Sequence, residues 1–321
     1  MDLNSRIYVA GHKGLVGSAI VRRLRSDGYK NILTKTHAEL DLTGQTAVER
    51  FFAAEKPEYV FLAAAKVGGI YANSVYPAEF IHQNIAIQSN VIHESWKNSV
   101  TRLLFLGSSC IYPRECPQPI KEEYLLTGPL EPTNSAYAVA KIAGIEMCRS
   151  YNKQYNTRYL AAMPSNLYGP GDNYDLNNSH VLPALIRKMH EAKAADAKKV
   201  VLWGSGTPKR EFLYVNDLAG ALVFLATLDA RRYDALVDPS CCPLINVGSG
   251  EDLTIRELAE TIAEVVGYRG RFELDTSKPD GTMRKMLDVS RIQRLGWAPE
   301  ITLKDGIARA YEDFIEGISK H

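Results

Sequence analysis

The chain has 321 residues, 45% hydrophobic and 23% charged, with a net charge of +1, which predicts one large domain plus a smaller one and argues against a polyanionic partner such as nucleic acid. It does not open on a charged segment followed by an apolar signal core, and its apolar runs are too short to span a bilayer, so no membrane association and a cytoplasmic location are expected. Its five cysteines, Cys110, Cys116, Cys148, Cys241 and Cys242, are odd in number and lack the spacing of a zinc site or a disulfide framework, so reduced thiols and no metal are expected.

The chain begins with a short β-rich run, RIYVA, then GHKGLVG, then AIVRRLRSDGY, whose apolar residues recur at helical spacing. In this strand, glycine turn and helix, Gly11, Gly14 and Gly17 allow a tight turn and close backbone approach. The exposed amides at the helix start suit a pyrophosphate. His12, Lys13, Leu15 and Val16 complete the loop. Glycine turns that bind nothing are common, and the signal gains its weight from the flanking elements in the required order.

The next strand, NILTKT, ends about 20 residues past the glycines, where a dinucleotide fold meets the adenosine ribose. The usual acid is missing there. Lys35, His37 and, from the glycine loop, Lys13 favour a ribose 2′-phosphate and hence NADP over NAD. The same three residues also fit a plain polar surface, and Glu39 and Asp41 stand close enough to serve a ribose or adenine.

Further strands at YVFLAAA, RLLFLGS and YLAAMPSNLYG, with helical patterns between them, predict an α/β fold with a doubly wound parallel sheet of the Rossmann type. Strand ends would gather Lys66, Ser108 and Asn166 along one edge. An extended exit from RLLFLGS points Ser108 and Cys110 the same way. The long loop RECPQPIKEEYLLTGPLEPTNS borders that edge, and its last residues supply stop and capping groups for a helix from about Ala136. On that helix Tyr137 and Lys141 are four apart and share a face. A close ammonium favours the phenolate and brings proton transfer nearer neutrality.

The combination of GxxGxxG, a strand ending in SSCIY, YxxxK and NLYGP resembles the extended short-chain dehydrogenase/reductase superfamily, in the branch that modifies nucleotide sugars. Along the whole chain, the strings GHKGLVGSAI, LAAAKVGGI, LGSSCIYP, LEPTNSAYAVAKIAG, NSHVLPALI, WGSGTPKREFLYV and KPDGTMRK are similar to the GDP-L-fucose synthase family. The resemblance implies epimerisation of GDP-4-keto-6-deoxy-D-mannose at C3 and C5, then NADPH reduction at C4. It implies Tyr137 as proton donor to the C4 oxygen, Ser108 as a hydrogen-bond donor to that oxygen, and Lys141 as a hold on the nicotinamide ribose. Leu106, Gly107, Pro164, Asn166, Leu167 and His180 are implied to complete the NADP site.

Inverting C3 and C5 needs an acid and a base beyond the reductase set, and Cys110 and His180 are the candidates. A thiolate at Cys110 can take a proton next to the C4 carbonyl, and His180, at the start of the helix-like VLPALIRKMHEA, can supply the other. A lone cysteine at a strand end is more often a buried apolar group, and a lone histidine there more often a cap; the family resemblance favours the catalytic reading. Past NLYGP a smaller domain is expected, giving residues 1–166 with a returning segment near 215–237 as the NADP-binding domain and 167–321 as the interleaved substrate domain. In REFLYVND, Asp217 is placed to cap the next helix. By resemblance Arg210 and Lys188 meet the diphosphate, Trp203 offers a flat face beside the substrate, and Asp280 and Lys285 serve the guanosine end. The helices IQSNVIHESWKNS and AYAVAKIAGIEMCRSYNKQY would pair across a homodimer contact, on the analogy of relatives. Two other readings remain: a redox-neutral epimerase or dehydratase with tightly held NAD, and a catalytically silent dinucleotide binder. The missing ribose acid argues against the first, and the joint presence of Ser108, Tyr137 and Lys141 against the second.

Overall fold

The structure is a computed structural model that describes residues 1–176, 179–278 and 280–319. Asn177 and Asn178, which precede His180, and Pro279 of KPDGTMRK lie outside the described residues. The first part alternates β1 (Ile7–Ala10), α1 (Leu15–Ser26), β2 (Ile32–Leu33), α2 (Gln45–Glu55), β3 (Tyr59–Leu62), α3 (Ile70–Val75), α4 (Pro77–Lys97), β4 (Arg102–Leu106), α5 (Ser135–Tyr155) and β5 (Tyr159–Pro164). Then come β6 (Asn166–Tyr168), α6 (Val181–Ala194), β7 (Lys199–Trp203), β8 (Lys209–Tyr214), α7 (Val215–Thr227), α8 (Ala230–Asp234) and β9 (Leu244–Val247). The chain closes with β10 (Asp252–Thr254), α9 (Ile255–Val266), β11 (Arg271–Asp275), β12 (Arg284–Lys285), α10 (Ser290–Arg294) and α11 (Leu303–Ser319).

The main sheet is parallel throughout, in the order β2-β1-β3-β4-β5-β9. Its central strands are buried on both faces, which is why IYVA, RLLFL and YLAAMP are almost wholly apolar. Strand order reverses between β1 and β3, and this opens a crevice at the carboxyl ends of the strands. Helix α1 lies against α7 on one side of the sheet, and α4 runs along α5 on the other.

Three local differences from the sequence reading matter for the site. NILTKT forms a strand only at Ile32–Leu33, because it is an edge strand paired with β1 alone. YLAAMPSNLYG splits at Ser165: β5 stays in the main sheet, whereas β6 pairs with β8 in a second one. Pro164 has no amide to donate to a further rung, and the Ser165 amide closes the ladder on the Val247 carbonyl at 3.0 Å. Asp217 does not cap α7. It sits inside the first turn, after Tyr214 at the cap position, and its carboxylate accepts from Ile301 N at 3.1 Å.

Two hydrophobic cores share the chain. The second is built from α6, α9 and α11 around β7 and β8. The first takes in α7 and α8 together with β9 and Leu287, Val289 and Ile292, so it draws on later chain than the 215–237 segment read from the sequence. Among the described residues, no helix is long and apolar enough to cross a membrane, and no cluster of His, Cys, Asp or Glu stands ready to hold a metal ion.

Candidate active site

At the switch point lies a cleft of about 580 Å³. Its floor is the glycine loop. Gly11 has φ +83°, and a Cβ there would meet Ala64 N at 2.7 Å; one on Gly17 would lie 2.1 Å from the Gly11 carbonyl. These two contacts bring α1 against β1 and β3 and leave backbone amides at the start of α1, capped by no side chain, facing the groove. Gly14, Leu15 and Val16 line the cleft with them, whereas His12 and Lys13 do not. Lys13 is exposed, since the turn that aims the amides inward turns its side chain toward solvent.

Lys35, His37 and Asp41 lie on the wall beyond β2. Asp41 accepts from Thr43 N at 2.9 Å and from Thr43 Oγ1 at 2.8 Å, and Glu39 accepts from Thr36 N at 2.8 Å and Thr36 Oγ1 at 2.7 Å. Both carboxylates are held below their usual pKa by these bonds. With the acids engaged by their own threonines and Asp41 also 3.8 Å from His37 Nδ1, Lys35 is the cation on that wall most open to an anion. The cradle that excludes a Cβ and this basic wall fit a phosphorylated dinucleotide.

The opposite wall brings together Leu106, Gly107, Ser108, Tyr137, Lys141, Pro164, Asn166, Leu167 and His180. Lys141 is 3% exposed, and its Nζ donates to the Leu106 carbonyl at 2.8 Å. The ammonium lies 4.7 Å over the Phe105 ring and 5.8 Å from the centre of the Tyr137 ring. Burial lowers its pKa to about 8. Tyr137 packs edge-on against Phe80 at 6.2 Å, and burial pushes its phenol well above its ordinary value. This differs from the expected phenolate-favouring pair: desolvation and the neighbouring Cys110 raise the phenol, and Lys141 does not offset them.

Cys110 does not continue an extended strand. The chain turns into a single 3₁₀ turn at Ser109–Ile111, with Ser108 at its cap accepting weakly from Cys110 N at 3.5 Å. The Ser108 side chain lines the cleft and also bonds the Cys110 thiol. Cys110 is buried behind Ser108; burial raises its thiol's pKa, while Lys285, the bond to Ser108 and Lys141 pull it down. His180 occupies the cap position of α6 at the rim, is exposed there, and makes no side-chain cap bond; desolvation by the neighbouring protein disfavours its imidazolium.

The substrate-side candidates separate into two groups. Lys188 on α6 sits 5.0 Å over the ring of Trp203, which is 61% exposed at the end of β7. Arg210 on β8 donates to the carbonyls of Lys209 at 2.7 Å and Thr282 at 2.6 Å. Asp280 accepts from Ser205 N at 2.8 Å and so pins its loop to the turn after β7. Lys285 is paired in register with Arg210, and its charge acts on the Cys110 thiol. The reason is the loop before it, which turns back at Asp280 and brings β12 alongside β8.

The structure adds residues that the sequence reading passed over. Beside Lys66, already expected at this edge, Ala63, Ala64, Ala65 and Val67 form the cleft wall after β3, with Leu40, Leu42 and Thr43 next to them. Buried Asn84 accepts from Lys66 N and donates to Lys66 O, both at 3.0 Å, and so fixes that wall. The strand end AAAK was the available signal. Lys278, which opens KPDGTMRK, lies 5.7 Å over Trp203.

Comparison with known proteins gives this arrangement a family. Residues 7–235 match the family model described as NAD dependent epimerase/dehydratase family. The chain is 56% identical over 317 residues to GDP-L-fucose synthase 1 of Arabidopsis thaliana, covering 99% of this chain and 95% of that one. It is 55% identical over 311 residues to GDP-L-fucose synthase of Escherichia coli (strain K12), covering 97% of each. Among solved structures, a GDP-D-glycero-L-gluco-heptose synthase from Campylobacter jejuni, in the presence of NADPH, superposes with a TM-score of 0.91 at 40% identity, covering 98% of this chain and 99% of that one. The chain belongs to the NAD dependent epimerase/dehydratase family and, within it, to the GDP-L-fucose synthases.

Proposed function

We propose that the chain converts GDP-4-keto-6-deoxy-D-mannose to GDP-L-fucose, inverting C3 and C5 and then reducing C4, with the residues of the cleft in the roles that follow. The observation that carries the reading is the convergence of Ser108, Tyr137, Lys141 and His180 on one cleft whose floor is a glycine loop and whose ribose wall is basic. NADPH bound along that floor supplies the hydride. Gly11, Gly14 and Gly17 present amides to its pyrophosphate, and Lys35 and His37 meet its 2′-phosphate.

The sugar's C4 oxygen accepts from Ser108 and Tyr137, which stabilises the charge that develops there when a proton leaves C3 or C5. Cys110 and His180 form the acid–base pair for those two inversions, one removing and the other returning a proton at the ring carbon. In the reduction Tyr137 gives its proton to the C4 oxygen. Lys141 holds the tyrosine's helix against β4 and offers its remaining hydrogens to the nicotinamide ribose. Arg210 and Lys285 meet the diphosphate, while Trp203 and Lys188 flank the nucleotide end.

The same reading takes the protein to be a cytoplasmic homodimer joined across α4 and α5, which lie side by side and leave Ile85 40% and Val139 44% exposed. The test of the function is oxidation of NADPH and of NADH by the purified protein supplied with GDP-4-keto-6-deoxy-D-mannose, with the product sugar identified. NADPH oxidation yielding GDP-L-fucose is expected. Intact substrate, or isomerised substrate with no oxidation, would leave a redox-neutral epimerase or a silent binder.

A further inference from the structure

Glu211 follows Arg210 on β8 and is fully buried, with 0% exposure. Among the described residues no lysine, arginine or histidine forms an ion pair with it. Backbone amides hold the carboxylate instead: Gly250 N donates to Oε1 at 2.8 Å and Leu287 N to Oε2 at 2.9 Å. Its own carbonyl accepts from Asn166 Nδ2 at 2.8 Å, which joins it to the cofactor wall. The turn after β9 is shaped to it, since a Cβ on Gly248 would lie 2.1 Å from Oε1.

The segments that Glu211 grips belong to the substrate side. Leu287 lies two residues past Lys285, and Lys285 is the register partner of Arg210. The same segment is laced to the loop that follows Cys110: Ile120 N donates to Met286 O at 2.7 Å, Asp288 N to Ile120 O at 2.8 Å, and Met286 N to Gln118 Oε1 at 3.0 Å. A buried carboxylate without a countercharge is costly. An apolar side chain would fill the same space but leave two buried amides without an acceptor.

The geometry points to Glu211 as a positioning residue for the substrate's diphosphate: by gripping the Leu287 and Gly250 amides it keeps Lys285 beside Arg210, so that two cations serve one anion. The inference rests on the reading of Arg210 as a diphosphate contact. Glu211 touches neither substrate nor cofactor, so its loss reads out first in substrate affinity, with a smaller loss in the chemical step through the pull of Lys285 on the Cys110 thiol.

The experiment measures KM and kcat with GDP-4-keto-6-deoxy-D-mannose, and NADPH affinity by fluorescence titration, in Glu211→Gln, Gly248→Ala and Arg210→Ala. In Glu211→Gln a side-chain NH₂ faces a backbone N–H, and in Gly248→Ala the new methyl displaces Oε1. Each raises the sugar nucleotide's KM about 10-fold, the effect of unsettling one buried hydrogen bond. The NADPH Kd stays within about 2-fold, kcat falls by less than KM rises, and Arg210→Ala raises KM at least as far. The positioning role is overturned if Arg210→Ala raises KM while Glu211→Gln or Gly248→Ala does not, or if NADPH affinity falls as far as substrate affinity does. Where Glu211→Gln yields no folded protein, Gly248→Ala decides; failure of both to fold assigns Glu211 to the core alone and also overturns the role. An unchanged KM in Arg210→Ala removes the reading of Arg210, and the inference with it.

Discussion

Lys141 Nζ donates to the carbonyl of Leu106 at 2.8 Å, so the helix that carries Tyr137 is tied to the last residue of β4, two positions before Ser108. A buried ammonium needs such a partner, because an unpaired one would cost several kcal/mol of desolvation. The bond acts as a strut. It sets the separation between the phenol on α5 and the hydroxyl at the strand end, which line the same cleft.

Tyr137→Phe separates the two chemistries. The variant keeps the ring and its edge-on contact with Phe80, so folding and NADPH binding are retained. Without a proton for the C4 oxygen, reduction falls about 1,000-fold, the usual scale of a lost general acid. Exchange of ring hydrogens for solvent deuterium continues at a measurable rate, because Ser108 still holds the oxygen. Mass spectrometry of the recovered sugar nucleotide decides: reduction at an undiminished rate would remove Tyr137 from its role.

Cys110→Ser does the reverse damage. A serine in this buried pocket is a far weaker acid than a thiol and cannot be drawn to its anion by Lys285 and Lys141 as the thiol can. Deuterium exchange drops about 100-fold, and product formation falls with it, while NADPH affinity is unchanged. Normal exchange and normal product formation in this variant would strip the thiol of its part in epimerisation.

What was legible in the sequence follows from how local each signal is. Apolar runs such as RLLFL and the glycine loop specify strand, turn and helix within a few residues, and Tyr137 and Lys141 need only helical spacing to share a face. The sheet and the reductase half of the site could be read from these. The turn at Ser109–Ile111 depends on a single side-chain cap, which neither periodicity nor composition signals. Glu211 was less legible still: in REFLYV it looks like a solvated strand charge, and its acceptors' partners lie 39 and 76 residues away. The neighbourhood of Lys285 was hidden for the same reason, since only the pairing of β12 with β8 sets it beside Arg210.

Cofactor choice is tested by Lys35→Glu. The substitution puts a carboxylate where the cleft now offers an ammonium, with Asp41 and Glu39 already engaged by Thr43 and Thr36. Loss of a charge-assisted bond to a phosphate together with added repulsion raises the KM for NADPH by about 30-fold. NADH, which lacks the 2′-phosphate, is affected by less than about 3-fold. Equal effects on both cofactors would place the 2′-phosphate away from Lys35.

Glu211 also makes stability depend on pH, with a sign fixed by its burial. Its carboxyl is raised from 4.5 to about 7 in the fold, chiefly by desolvation, with Asp252 on β10 adding repulsion against the bonds from Leu287, Gly250 and Ser249. Asp252 is itself paired with Arg284 of β12. Between these two values the folded chain holds a proton that the unfolded chain has released, so stability falls as pH rises. The contribution of the protonated group is complete below about 4.5 and is lost as pH climbs through about 7. Asp172, raised from 3.8 to about 6, acts in the same direction one step lower. In Glu211→Gln the Asp172 part remains and the Glu211 part vanishes. The wild type's unfolding free energy minus the variant's is therefore larger at pH 5 than at pH 8, by at most about 3 kcal/mol from the shift. Urea unfolding of both proteins across this range measures it, and parallel stability curves would show that Glu211 is ionised in the fold throughout.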